Sequence, residues 1–247
     1  MRFVRSLIFN ALFYLNTVFW LVVGLPTFFL PYIAVVRVAQ AWGRVNLVLI
    51  RAAGIKFELR GAEKIPAGAL IVASKHQSAW ETFALLTLFD NPLFILKREL
   101  EWIPFFGWML IKGRMVPVDR GAGSQTLIKM TERARIELGR RRQLIIFPEG
   151  TRRPAGAEPR YKYGVAHLYA AAGVPCLPVA LNSGVFWPRR RSLMLKPGTV
   201  IVEILDPIMP GLDKDVFFKL LQERIETATV RLIAEANSPA SSRDAAQ

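Results

Sequence analysis

The chain has 247 residues, enough for one cored domain, and its 52% hydrophobic and 21% charged residues exclude a disordered chain and direct attention to a membrane segment. Lys and Arg number 33 against 19 Asp and Glu, a net charge of +14 that favours acidic partners: nucleic acid, anionic lipid headgroups or an acidic carrier protein. One cysteine, Cys176, excludes an internal disulfide framework and a cysteine-built zinc site, and the imidazoles are two, His76 and His167.

From Ser6 to Val36 no residue is charged. At about 1.5 Å per residue this stretch is long enough to cross a hydrocarbon core of about 30 Å. Gly24, Pro26 and Pro31 interrupt it, because proline removes a backbone donor and clashes with the preceding turn. Arg2 and Arg5 precede it and Arg37 and Arg44 follow it, so both ends can stay on the cytoplasmic side. Arg37, Arg44 and Arg51 recur every seven residues and share one helical face, the pattern of an amphipathic helix at a headgroup layer. The residues allow a helical hairpin dipping into one leaflet or a single transmembrane span with a linker. A cleaved signal peptide fits less well, because the apolar stretch is too long and Arg37 sits beside the Ala39-Gln40-Ala41 site.

The remainder alternates between strand and helix patterns. Strands are expected at 55–60, 69–73, 93–96, 115–118, 144–147, 176–181 and 200–205, and helices at 80–89, 124–139, 163–172 and 213–236. The apolar, Pro- and Gly-containing stretch 103–111 has no clean assignment. The alternation implies an α/β fold, a central and largely parallel sheet flanked by helices, with an N-terminal membrane-associated helical hairpin. The expected division is 1–52 for membrane-associated helices, 53–236 for the α/β domain and 237–247 for a disordered tail.

Two segments directly after buried strands carry chemistry-bearing residues, and open α/β sheets gather their sites at such strand ends. The first is Ser74-Lys75-His76-Gln77-Ser78-Ala79-Trp80-Glu81. On one continuous helix His76 and Glu81 would point about 140° apart. They meet if His76 lies in a loop and Glu81 in the first helical turn, where a carboxylate on one imidazole nitrogen leaves the other as a base. The alternative is a polar His76 near a helix start with Glu81 serving the helix dipole. The second segment is Phe147-Pro148-Glu149-Gly150-Thr151-Arg152-Arg153. Its glycine admits close backbone approach, and Thr151 and Arg152 offer donors suited to phosphate; a turn with solvated arginines is the alternative.

Together, His76 with an acid five residues on and Phe-Pro-Glu-Gly-Thr-Arg about 70 residues later resemble the glycerolipid acyltransferase family, in particular the 1-acyl-sn-glycerol-3-phosphate (PlsC-type) acyltransferases. The resemblance extends through Lys97–Gly107, Gly113–Arg120 and Val174–Val179, and covers about residues 55–185. The family's usual acid is Asp, and this chain has Glu81. The resemblance implies that His76 is the general base on the sn-2 hydroxyl of lysophosphatidic acid, and that Glu81 orients it. It implies a second part of the site from Glu149, Gly150, Thr151 and Arg152, with Arg152 on the acceptor phosphate and Lys97 and Arg120 as further candidates. The acyl donor it implies is acyl-CoA or acyl-carrier protein; no metal or other cofactor is expected. No acyl-enzyme is needed, which agrees with the lack of a Gly-x-Ser-x-Gly nucleophile elbow.

The expected setting is an anionic membrane, at the cytoplasmic face of a bacterial inner membrane. Val174–Val179 reads as a core strand or as part of an acyl pocket. Arg140–Arg142 and Arg189–Arg191 read as solvated faces or as surfaces for a membrane or an acidic carrier, and Trp187 suits a headgroup layer. Competing functions are acylation of another lyso-lipid, such as a lyso-aminolipid, and a non-catalytic basic membrane-binding protein. Nucleic acid is not an expected partner, since no RNA- or DNA-binding signature stands out.

Overall fold

A computed structural model describes residues 2–119, 123–188 and 194–238. Two antiparallel helices come first: α1 (Arg2–Val23) and α2 (Tyr32–Ala52), joined by a 3-10 turn at Leu25–Phe29. Pro26 opens that turn and Pro31 caps α2, so the interruptions fall where the sequence places them. Polar pairs set the register. Asn16 Nδ2 donates to Asn46 Oδ1 at 3.1 Å, Trp42 Nε1 to Thr17 Oγ1 at 3.1 Å, and Arg5 Nη2 to the Ala52 carbonyl at 3.3 Å. The start of α1 therefore touches the end of α2, as in a hairpin.

Among the described residues seven strands follow: β1 (Ile55–Arg60), β2 (Leu70–Ser74), β3 (Pro92–Lys97), β4 (Val116–Val118), β5 (Gln143–Ile146), β6 (Cys176–Leu181) and β7 (Gly198–Ile204). They form one sheet in the order β1-β7-β6-β2-β5-β3-β4, parallel except for the β6–β7 pair. The intervening helices are α3 (Trp80–Leu88), α4 (Phe106–Lys112), α5 (Gly123–Leu138), α6 (Gly164–Ala172), α7 (Ser183–Phe186) and α8 (Lys214–Ala236). The central strands are continuously apolar because both faces are covered. Leu70 and Val72 of β2 face a core shared with α2, α3 and Phe9 of α1; Ile71 and Ala73 face the α5, α6 and α8 layer.

The unassigned stretch 103–111 falls on α4, and a 3-10 turn, Arg98–Trp102, precedes it. Pro104 separates them, and Phe105 takes φ 61° to start the helix. Gly107 is required there, since a Cβ would lie 2.0 Å from the Glu101 carbonyl oxygen.

Two surface expectations change. Trp187 is only 5% exposed, packed on Phe9, Phe13 and Phe83, and is a core residue rather than a headgroup one. Arg142 is fully buried. It donates to Glu137 Oε2 at 2.9 Å and to the carbonyls of Pro92 and Gly113 at 3.1 Å each, so the Arg140–Arg142 run is not one solvated face. The Arg189–Arg191 run lies outside the described residues. Arg37, Arg44 and Arg51 are exposed along α2, as their spacing predicts.

Candidate active site

His76 sits in the loop after β2, and Glu81 sits in the first turn of α3. This is the arrangement that lets residues five apart meet. His76 Nδ1 is 3.8 Å from Glu81 Oε1, ion-pair range but beyond a hydrogen bond. The Glu81 carboxylate is fully buried and also serves the backbone. Its Oε1 accepts the N–H groups of Gln77 at 2.5 Å and Ser78 at 2.9 Å, while Ser78 Oγ accepts the Trp80 N–H at 3.0 Å. Ser78-Ala79-Trp80-Glu81 thus closes as a variant of the capping box, which satisfies donors otherwise left bare at the start of α3. The orienting and helix-start readings of Glu81 describe one carboxylate.

The imidazole of His76 stacks on the Phe147 ring, with centroids 3.9 Å apart and planes 13° from parallel. Phe147 ends the strand pattern of β5 and brings the second loop against the first. The His76 carbonyl accepts the Arg153 N–H at 2.8 Å, and Glu149 Oε2 accepts the His76 N–H at 2.9 Å. Gly150 takes φ +66° in the turn closed by its N–H on the Phe147 carbonyl. The glycine is there for the left-handed backbone, since a Cβ would meet only Lys162 at an ordinary 3.6 Å.

His76, Phe147, Thr151 and Arg152 line the polar end of a cavity of about 680 Å³. Most of the rest of its wall is apolar, with Phe94 and Leu96 of β3, Trp20 and Leu21 of α1, Val35 and Val38 of α2, and Met109 of α4; Thr17 and Thr82 add hydroxyls. Lys97 also lines it and pairs with Glu99 at 2.7 Å. Basic side chains together with a mostly apolar wall suit an amphiphile with an anionic head.

A sequence model of the family described as Acyltransferase matches residues 56–182, a span holding both loops. The chain belongs to this acyltransferase family. It is 37% identical over 212 residues to a 1-acyl-sn-glycerol-3-phosphate acyltransferase of Pseudomonas aeruginosa, covering 83% of this chain and 80% of that one. It is 28% identical over 195 residues to the protein of the same name from Cocos nucifera, covering 78% and 63%. The crystal structure of the 1-acyl-sn-glycerophosphate (LPA) acyltransferase PlsC from Thermotoga maritima superposes with a TM-score of 0.78 at 25% identity, covering 94% of this chain and 98% of that one. The largely parallel sheet and the N-terminal helix pair are therefore those of a PlsC-like acyltransferase.

Within this acyltransferase the candidate residues separate by position. His76, Lys97, Thr151 and Arg152 reach the cavity; Glu81, Glu149 and Gly150 stand behind it. Arg120 lies outside the described residues. His167 packs edge-on to Tyr163 on α6, away from the cavity lining, and Cys176 is buried in β6 with its thiol pushed up by burial. β6 is wholly buried and none of it lines the cavity, so Val174–Val179 is the core strand of the two readings. Sequence reasoning gave Phe147 and Lys75 no role. Phe147 had a usable signal, an aromatic directly after a buried strand at the start of a loop site.

Proposed function

We propose that this acyltransferase moves a fatty acyl group from acyl-CoA or acyl-carrier protein to the sn-2 hydroxyl of lysophosphatidic acid, giving phosphatidic acid. The observation that carries this reading is His76 beside Thr151 and Arg152 at the polar end of an apolar cavity. The names of the relatives agree with it. The imidazole takes the proton of the acceptor hydroxyl as its oxygen attacks the thioester carbonyl. The C–S bond then breaks, and the leaving thiolate takes that proton back from the imidazolium. Glu81, 3.8 Å from Nδ1, favours the imidazolium and leaves Nε2 as the base. Arg152 and Thr151 hold the acceptor phosphate, with Lys97 at the rim.

Both N-terminal helices are long and apolar enough, by length and composition, to cross a membrane. We place the 1–52 hairpin in an anionic bilayer, at the cytoplasmic face of a bacterial inner membrane. The outward face of α1 exposes Leu7, Leu15, Phe19 and Val22, and Phe29 at the turn is 93% exposed. Apolar insertion supplies most of the anchoring, while Arg37, Arg44 and Arg51 each add about 1 kcal/mol near anionic headgroups.

The test is thiol release from acyl-CoA with a panel of acceptors. Lysophosphatidic acid should drive release, and a phosphate-free lyso-aminolipid should not. Arg152→Ala should raise the KM for lysophosphatidic acid roughly 10- to 150-fold, as a charge-assisted contact predicts, and spare the donor KM. Preferential use of the lyso-aminolipid, or a selective rise in the donor KM, would contradict the acceptor assignment.

A further inference from the structure

Lys75 is a lysine with 2% side-chain exposure placed directly before His76, and nothing in the transfer chemistry above uses it. Strand alternation explains its direction. Ala73 of β2 faces the α5, α6 and α8 layer, so Lys75, two residues on, reaches that same layer, while His76 turns to the cavity. There Lys75 Nζ lies 2.6 Å from Glu226 Oε1 of α8 and 2.9 Å from Glu149 Oε1. Tyr161 donates its hydroxyl to the same Glu226 oxygen at 2.8 Å, and its ring centroid is 5.9 Å from the ammonium. The other oxygen of Glu149 accepts the backbone N–H of His76 at 2.9 Å.

The result is a continuous polar chain through the protein: α8 to Lys75, Lys75 to Glu149, Glu149 to the His76 backbone. Burying these charges is expensive, and apolar side chains of similar volume would commonly stabilise a core as well or better. A charged cluster retained at that cost, with one end on the residue that lines the cavity, points to control of geometry. Burial pushes the Glu149 carboxyl above its ordinary range, and Lys75 and the His76 N–H oppose this.

We propose that Lys75, Glu149 and Glu226 are positioning residues that fix the His76 backbone, making α8 a determinant of site geometry although it does not line the cavity. Glu149 acts on the enzyme's own backbone and not on substrate. Its two oxygens hold the His76 N–H and the Lys75 ammonium, and the His76 carbonyl is held in turn by the Arg153 N–H. The imidazole is thereby kept against Phe147 and within reach of Glu81. Loss of Lys75 leaves the buried Glu149 carboxylate facing the half-buried one of Glu226 and frees Glu149 to turn away.

This inference rests on His76 being the base, and the experiment separates the two. Full-length Lys75→Met and Glu226→Gln are compared with the unmodified enzyme by steady-state kinetics on lysophosphatidic acid and acyl-CoA, with thermal unfolding as a check on folding. A base displaced by about 1 Å should lose roughly 10- to 100-fold in kcat for Lys75→Met. Both KM values should stay within about two-fold, because no cavity contact is removed. Glu226→Gln preserves volume and an acceptor oxygen, so it should fold normally and lower kcat in the same direction by a smaller factor. If Lys75→Met does not fold, Glu226→Gln alone decides. An unchanged kcat in a folded variant, or a KM that rises as much as kcat falls, overturns the positioning role. Absence of acyl transfer by the unmodified enzyme would instead overturn the functional reading.

Discussion

In the proposed reaction, Glu81 serves the fold and the base together. Its oxygens hold the Gln77 and Ser78 N–H groups, and the same oxygen Oε1 stands 3.8 Å from His76 Nδ1. Glu81→Gln keeps an acceptor for the backbone but loses the charge that stabilises an imidazolium. Glu81→Asp keeps the charge at a shorter reach. The kcat of the Gln variant should therefore fall further than that of the Asp variant, by about ten-fold or more against the unmodified enzyme. Equal losses would reduce Glu81 to its helix-start role. The pairing was legible in the sequence because it needs only a loop followed by a first helical turn. The Lys75–Glu226 contact was not, because it joins residues 151 apart through strand alternation and the docking of α8. Glu149 is similar: its motif was readable, but which side of the loop its carboxylate faces depends on the packing of Lys75.

Among elements, the β5 entry shows why a charge run misleads. Arg140, Arg141 and Arg142 form one run in the sequence, yet Arg142 is buried at the foot of β5, where it donates to the carbonyls of Pro92 and Gly113. Among the described residues its ion-pair partner is Glu137, five positions earlier at the end of α5, and burial still lowers its pKa. Glu137→Ala leaves that charge uncompensated and should cost about 3–5 kcal/mol in denaturant unfolding. The double variant Glu137→Leu/Arg142→Met removes both charges and should cost less than the single change. A smaller loss for Glu137→Ala than for the double variant would contradict this account of the pair. Strands and helices with a clear period were legible from residue patterns alone. The stretch 103–111 was not, because its turn depends on the approach of Gly107 to the Glu101 backbone and on a strained Phe105.

Over the whole molecule, the N-terminal hairpin, proposed above as a membrane anchor, is also a wall of the cavity. Trp20, Leu21, Val35 and Val38 line the cavity, and Lys112 of α4 donates to the Phe28 carbonyl at the hairpin turn. Because Arg5 touches the end of α2, both ends of the hairpin lie on one side. In sealed vesicles, Val4→Cys and Arg51→Cys should react with an impermeant maleimide from the same side; labelling from opposite sides would require a single span. Cys176 is fully buried and will not compete for the reagent. The central claim, that His76 at the cavity's polar end activates an acceptor hydroxyl, has a direct test. Purified enzyme is given acyl-CoA and lysophosphatidic acid, and phosphatidic acid is measured for the unmodified chain and for His76→Ala. The unmodified chain should form phosphatidic acid, and the folded variant should lose at least about 10²-fold in rate, the contribution expected of a general base. A folded His76→Ala enzyme that forms phosphatidic acid at an undiminished rate would contradict the account.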